Sequence, residues 1–431
     1  MLRGFASAFR TPDLRKKILF TIFILGIYRL GAVVPTPGVN YSAIQKCITQ
    51  TQDNSFYGLI NLFSGGALLQ LSVFALGIMP YITASIIIQL LVVVIPRLDA
   101  LKQEGQAGQA KLTQYTRYLT IGLAILQSTA ILALARTPGR LFQGCNEQLI
   151  PNQSITLIIV MIITLTAGTG MIMWFGELIT DRGIGNGMSL LIFVSIIASF
   201  PGQLVAIFRV DGALTLAFTV AVGLVTIGAV VYVEQAQRRI PVQYAKRMVG
   251  SREYGGASTY IPLKVNMAGV IPVIFASSLL YIPQLIVTLS GSQAGWAQWV
   301  SQNFTKGDEP LYLLAYFLLI VFFCYFYVAI TFNPVEVADN MKKYGGFIPG
   351  IRAGKPTAEY LDYVLTRLTF PGSLYLAVIA IIPFVAFATL GVGNRFLFGG
   401  TSLLIMVGVG LDTIKQLESQ LQQRNYEGFL R

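Results

Sequence analysis

Runs of at least about 16 residues free of Asp, Glu, Lys and Arg recur along the whole chain, each close to the length a helix needs to cross a hydrocarbon core. They fall near 18–34 (interrupted by Arg29), 71–95, 118–135, 154–176, 184–200, 213–233, 265–289, 311–331, 370–390 and 396–411. Hydrophobic residues make up 54% of the sequence, charged ones 12%, and the mean hydropathy is +0.66, which excludes a soluble globular chain. The expectation is an all-α polytopic membrane protein with ten transmembrane helices, the last of them short. Arg15-Lys16-Lys17 leads straight into the first run, which continues past signal-peptide length with no small-residue cleavage site, so this run is expected to stay as a span.

Lys and Arg between the runs decide orientation. With the N-terminus in the cytoplasm, 24 of the 31 basic residues fall on that side and six outside (Lys46, Arg136, Arg140, Arg209, Lys306, Arg395), leaving Arg29 inside the first span. The positive-inside rule then puts both termini in the cytoplasm. A net charge of +12, concentrated on one face, suits anionic lipid or a polyanionic partner such as ribosomal RNA.

An internal repeat is visible. MPYITASII, from Met79, matches IPVIFASSL, from Ile271, at Pro80/Pro272, Ile82/Ile274, Ala84/Ala276 and Ser85/Ser277, while GMSLLI from Gly187 matches GTSLLI from Gly400. Short matches carry weight here through their order. Span 2 pairs with span 7 and span 5 with span 10, as two five-span halves require. An odd number of spans forces the second half to insert upside down, with the matched elements meeting at the midplane around a central passage. Ile82, Ile192, Ile274 and Ile405 are the candidates for its narrowest point.

Much chemistry is excluded. Without a histidine there is no HExxH zinc site, no Ser-His pair and no histidine proton relay. PGIRAGKPT at 349–357 lacks the first glycine of a phosphate loop, and Pro356 stands where Ser or Thr would hold magnesium. Arg29, the one charge clearly within a span, is expected to snorkel or to make a structural pair. Cys47, Cys145 and Cys324 have neither metal-ligand nor redox spacing and read as incidental. No cofactor, metal or catalytic residue is expected. A passage so poor in polar groups suits a gasket better than the binding site of an ion-coupled solute carrier, the alternative that inverted repeats leave open.

FSGGALLQ, residues 63–70, interrupts the approach to span 2 with two glycines and an amide. The segment from about Phe56 to Leu69 is roughly 14 residues, about 21 Å as a helix, too short for a core of about 30 Å. It must end inside the protein, where interrupted backbone is tolerated if buried or facing a water cavity.

These stretches, with FALGIMPYITASIIIQLL, DRGIGNGMSLLIF, PLKVNMAGVIPVIFASS, FIPGIRAGKPT, GGTSLLI and QRRIPVQYAKR, closely resemble SecY, the channel subunit of the bacterial and thylakoid protein translocase. The opening residues and overall length look most like a cyanobacterial or plastid member. The resemblance implies two inverted five-helix halves around a pore that passes unfolded secretory polypeptides across the membrane and releases signal anchors and transmembrane segments sideways into lipid. It implies a pore ring at Ile78, Ile82, Met188, Ile192, Ile274 and Ile405, in which Met188 replaces the usual β-branched residue. It makes the short segment a plug, carried by Phe56, Leu59, Phe63, Gly65, Gly66 and Leu69. A lateral gate between spans 2/3 and 7/8 is expected to include Gln89, Gln127, Ser128 and Asn266, whose mutual hydrogen bonds would contribute about 0.6 to 2 kcal/mol each. Arg239, Lys246, Arg247, Arg252 and Arg352 would dock the SecA motor or a translating ribosome; Ser251 stands where related members often carry an arginine. Further implied partners are a SecE-type subunit, a SecG-type subunit, and preproteins with signal sequences. The implied organisation is a cytoplasmic N-terminus (1–17), a first half (18–200, plug near 56–69), a linker (201–212), and a second half (213–411) with cytoplasmic loops 234–264 and 332–367. A cytoplasmic tail (412–431) follows. The expected location is the bacterial plasma membrane or the thylakoid membrane.

Overall fold

Each of the ten charge-free runs carries a helix in the computed structural model, which describes residues 11–50, 64–136, 147–152, 154–244, 247–249, 252–254, 258–290, 295–304, 309–390 and 400–427. The helices of the first five runs are α1 (Pro12–Gly31), α3 (Met79–Val94), α5 (Gln106–Ala135), α6 (Ile155–Arg182) and α7 (Gly187–Arg209). Those of the second five are α8 (Gly212–Gln235), α9 (Ile271–Ser290), α11 (Pro310–Thr331), α13 (Lys355–Leu390) and α14 (Gly400–Glu427). Shorter helices lie between them: α2 (Tyr41–Gln50), α4 (Pro96–Gln103), α10 (Gly295–Phe304) and α12 (Pro334–Lys343). Among the described residues α5, α6, α7, α8, α11 with α12, and α13 are each long and apolar enough to cross a membrane. α3 and α4 join them if taken as one span bent by 100° at Ile95-Pro96, where proline prevents the preceding residue from staying helical.

Two boundaries differ from the expectation. The helix of span 5 runs past residue 200 to Arg209, and the chain breaks only at Gly212 (φ 85°, ψ 176°), a conformation open to glycine. The linker at 201–212 is therefore mostly helical. Span 2 starts late: residues 65–78 coil in successive turns and the helix begins at Met79. Apolar composition alone cannot separate a buried coil from a helix, which is why the run from Leu71 looked like a full span.

The coil is tolerated because protein groups satisfy its backbone. The Thr36 amide and hydroxyl both donate to the Leu71 carbonyl, at 3.0 and 2.5 Å, and the Val73 amide donates to the Val34 carbonyl at 2.9 Å. Leu71 itself holds φ 45°, the one non-glycine with positive φ among the described residues. Gly168 of α6 lies so close to the Val73 carbonyl that a Cβ there would collide with it.

Three large apolar clusters fill the interior, beside a small one of Leu14, Ile18, Ile184 and Leu417. One joins α2, the coil and α5 with Leu149 and Ile150. Another joins α8, α9, α11 and α13 with the strands that follow α8. The third lies between them and draws on α1, Phe74 and Ile78 of the coil, α6, α7, α9 and α14. Strands β1 (Gln237–Tyr244), β4 (Ser258–Lys264) and β5 (Gly346–Phe347) make an antiparallel sheet ordered β4-β1-β5, with Ile240 facing Ile261 and Gln243 facing both Ser258 and Phe347. The segments 234–264 and 332–367 are thus hydrogen-bonded into one platform, and β2 (Arg247–Val249) and β3 (Arg252–Tyr254) form a separate pair.

Candidate functional site

The central cluster contains all six residues of the expected ring: Ile78, Ile192, Ile274 and Ile405 are buried in it, and Ile82 and Met188 pack against it half-buried. They come from the first turns of four helices. Ile78 precedes α3 and Ile82 lies one turn in; Met188 and Ile192 occupy the first two turns of α7; Ile274 and Ile405 sit near the starts of α9 and α14. Asn186 fixes the start of α7, its side-chain oxygen accepting from the amides of Met188 and Ser189 at 3.1 and 3.4 Å. Tyr28 of α1 donates to or accepts from Ser195 of α7 at 2.6 Å, tying the far side of the same cluster together.

A cavity of about 450 Å³ adjoins this cluster, with Ile82, Met188, Ile192 and Ile274 in its wall. A second, of about 510 Å³, shares Asn186, Ser189 and Ile271 with it and is walled by Glu234, Lys264, Asn266 and Asp412. The two adjoin, and their walls mix polar and charged groups with apolar side chains of the central cluster. Arg117 of α5 braces the first by a two-pronged pair with Glu177 of α6, Nε to Oε1 and Nη2 to Oε2 both at 2.8 Å, a planar match that fixes orientation as well as charge. Lys264 pairs with Asp412 at 3.5 Å across the second cavity.

At the coil, Arg29 resolves as a structural pair. Its Nη1 donates to the Gly65 carbonyl at 2.8 Å, a charge-assisted bond that holds the beginning of the FSGGALLQ stretch against α1. Gly65 is buried with φ 64°, and a Cβ there would stand 2.7 Å from Arg29 Nη1 and 3.1 Å from the Ser195 backbone. Gly66 and Leu69 follow in the same coil, half-buried; Phe56, Leu59 and Phe63 lie outside the described residues.

The expected gate residues are not brought together. Gln89 is exposed on α3 and donates to Ser85 at 3.4 Å; Ser128 is buried on α5 and donates to the Ile125 carbonyl at 2.9 Å; Gln127 is half-buried beside it. Asn266 is buried and donates to Glu234 Oε1 at 2.5 Å and to the Gly269 carbonyl at 3.1 Å. The mutual bonds expected among these four are replaced by bonds within their own helices and to Glu234. Helical Ser and Gln side chains find a partner one turn away more readily than across a seam.

Of the docking residues, Arg239 is exposed on β1 with its guanidinium 4.9 Å from the centre of the Tyr260 ring, a cation–π contact that keeps it extended. Arg352 is exposed in the second loop, its carbonyl accepting from Thr357 at 2.8 Å. Arg247 and Arg252 lie on the β2–β3 pair, and Lys246 is outside the described residues. The cysteine reading needs correction, because Cys47 is disulfide-bonded while Cys324 is free and buried. Covalent pairing follows closeness in space, which spacing along the chain does not report.

Sequence reasoning passed over Arg117, Glu177 and Glu234. A usable signal was present: Arg117 and Glu177 directly flank the runs 118–135 and 154–176, and Glu234 and Lys264 flank 213–233 and 265–289. Consecutive antiparallel spans place such flanking residues at one level.

A family model described as SecY matches residues 72–414. Proteins named protein translocase subunit SecY are similar over the whole length of both chains: 65% identical in Streptomyces galbus, 66% in Streptomyces coelicolor and 59% in Mycobacterium tuberculosis. Among solved structures, one described as a protein-conducting channel is similar with a TM-score of 0.62 at 21% identity, over 93% of this chain and 91% of that one. Another, in work on the SecY plug domain, gives 0.63 at 20% over the same shares. The canine Sec61 channel of a ribosome–channel complex gives 0.59 at 19%, again over 93% of this chain and 91% of that one.

Proposed function

The chain belongs to the SecY family and is a protein-conducting channel of ten membrane helices, and from that premise we propose how its own residues carry the work. The six-residue collar of Ile78, Ile82, Met188, Ile192, Ile274 and Ile405 is the pore ring. What supports this reading is one observation: all six lie in a single apolar cluster, built from the starts of four helices, and four of them line the wall of an adjoining cavity. Bulky apolar side chains hold no continuous file of water, so ions are stopped by dewetting. They also select no particular side chain of a passing polypeptide. Met188 adds an adaptable thioether to a collar that must change shape.

The segment near 56–69, with Phe56, Leu59, Phe63, Gly65, Gly66 and Leu69, is the plug, and the Arg29 bond to the Gly65 carbonyl fastens its C-terminal end while the channel rests. A signal helix enters sideways between spans 2/3 and 7/8, with Gln89, Gln127 and Ser128 along the seam and Asn266 at its cytoplasmic end. The halves 18–200 and 213–411 hinge about the helical connection near 201–212. Arg239, Lys246, Arg247, Arg252 and Arg352 dock a SecA motor or a ribosome on the shared platform of loops 234–264 and 332–367, which β1–β5 pairing makes a single body. The driving energy comes from that partner, and the chain itself is not an enzyme. SecE-type and SecG-type subunits and anionic lipids complete the assembly. Both termini, 1–17 and 412–431, face the cytoplasm of a bacterial plasma membrane, in keeping with the Streptomyces and Mycobacterium relatives; nothing in them favours a thylakoid membrane.

The test is reconstitution in proteoliposomes with purified SecE-type subunit and SecA. ATP-dependent protection of a signal-bearing substrate from protease is expected. Uptake of a small solute without preprotein transport would instead establish the carrier reading.

A further inference from the structure

Of the three cysteines, Cys324 is a free thiol buried in α11, whereas the sulfur of Cys47 is in a disulfide. Within the chain only Cys145 remains as its partner. Cys145 itself lies outside the described residues, but the segment that follows it is seated directly on α2. Lys46, next to Cys47, reaches Glu147 Oε1 at 3.4 Å. The Asn40 amide donates to the Leu149 carbonyl at 2.9 Å. Ala43, Ile44 and the fully buried Cys47 share one apolar cluster with Leu149 and Ile150.

We propose that Cys47 and Cys145 form an intrachain disulfide that staples the loop after span 1 to the loop between spans 3 and 4 on the outer face of the membrane. Both loops fall on the side that the positive-inside rule assigns to the exterior, where disulfides form and persist. Formation removes two protons and two electrons from the two thiols. The electrons pass by thiol–disulfide exchange to a protein disulfide of the outer compartment, which leaves as a dithiol. Burial of Cys47 then shields the bond from attack by external thiols.

The pairing is tested without any assumption about the plug. Cells expressing the full chain are lysed in denaturant with N-ethylmaleimide, the protein is reduced, and newly exposed thiols are counted by gel shift with a polyethylene-glycol maleimide. Two new thiols per chain are expected in the native sequence, with a monomer on non-reducing gels, and none in Cys47→Ser or Cys145→Ser. No new thiol in the native sequence, or a disulfide-linked dimer that survives Cys145→Ser, overturns the proposal.

Discussion

The bond from Arg29 to the Gly65 carbonyl is the smallest contact with a large expected effect, because it joins a charge within span 1 to the segment proposed as the plug. A hydrogen bond to a charged group contributes about 1.5 to 3 kcal/mol, so Arg29→Met should shift the resting equilibrium toward the unplugged state by roughly ten- to a hundredfold. Single-channel recording in planar bilayers should show raised resting conductance, and unchanged conductance would leave Arg29 with only a structural part. Gly65→Ala should act the same way, since it meets Arg29 in a backbone conformation that disfavours a side chain. Asn266 makes a second test. Asn266→Leu leaves the Glu234 carboxylate buried beside an apolar group, at a cost of about 1 to 3 kcal/mol or more. Export of weak-signal substrates should change, and Glu234→Gln in the same chain should restore much of the loss, a coupling readable by a double-mutant cycle. Additive effects of the two changes would contradict it.

Among the elements, the helices were legible and the coil before α3 was not. Charge-free runs mark spans well because a charge at the bilayer centre is costly, and the four isoleucines that the repeat singles out, Ile82, Ile192, Ile274 and Ile405, share one apolar cluster. Residues 65–78 are as apolar as a span, yet they coil, because tertiary partners such as Thr36 and Val34 satisfy their backbone. No local pattern carries that information. The seam residues failed to pair for a related reason: polar side chains on a helix bond within one turn, and only contact geometry reveals the Glu234 that takes Asn266. The cytoplasmic platform likewise rests on pairing between segments far apart, with Gln243 opposite Phe347. Arg352 stands close after that junction, exposed. Arg352→Glu should weaken SecA or ribosome binding by about tenfold or more, since like-charge juxtaposition at an interface costs several kcal/mol. Sedimentation with inverted vesicles would show it, and binding at the native level would remove Arg352 from the docking surface.

For the whole molecule, the adjoining cavities, the ring and the plug make sense together only if a polypeptide passes through the collar of six residues. Span 6 supplies a contrast, because Leu224 of α8 is 64% exposed and lies outside the central cluster, as expected of a lipid-facing side chain. Polypeptides released sideways would reach lipid only after the ring. The most direct measurement places a photoreactive benzophenone amino acid at Ile192, at Ile405 or at Leu224, and stalls a signal-bearing substrate midway by a folded domain at its C-terminus. Illumination should link the stalled chain to the protein from Ile192 and Ile405, and not from Leu224. A stalled substrate that is protected from protease yet links from Leu224, and from neither ring position, would show that polypeptides cross by a route other than the ring.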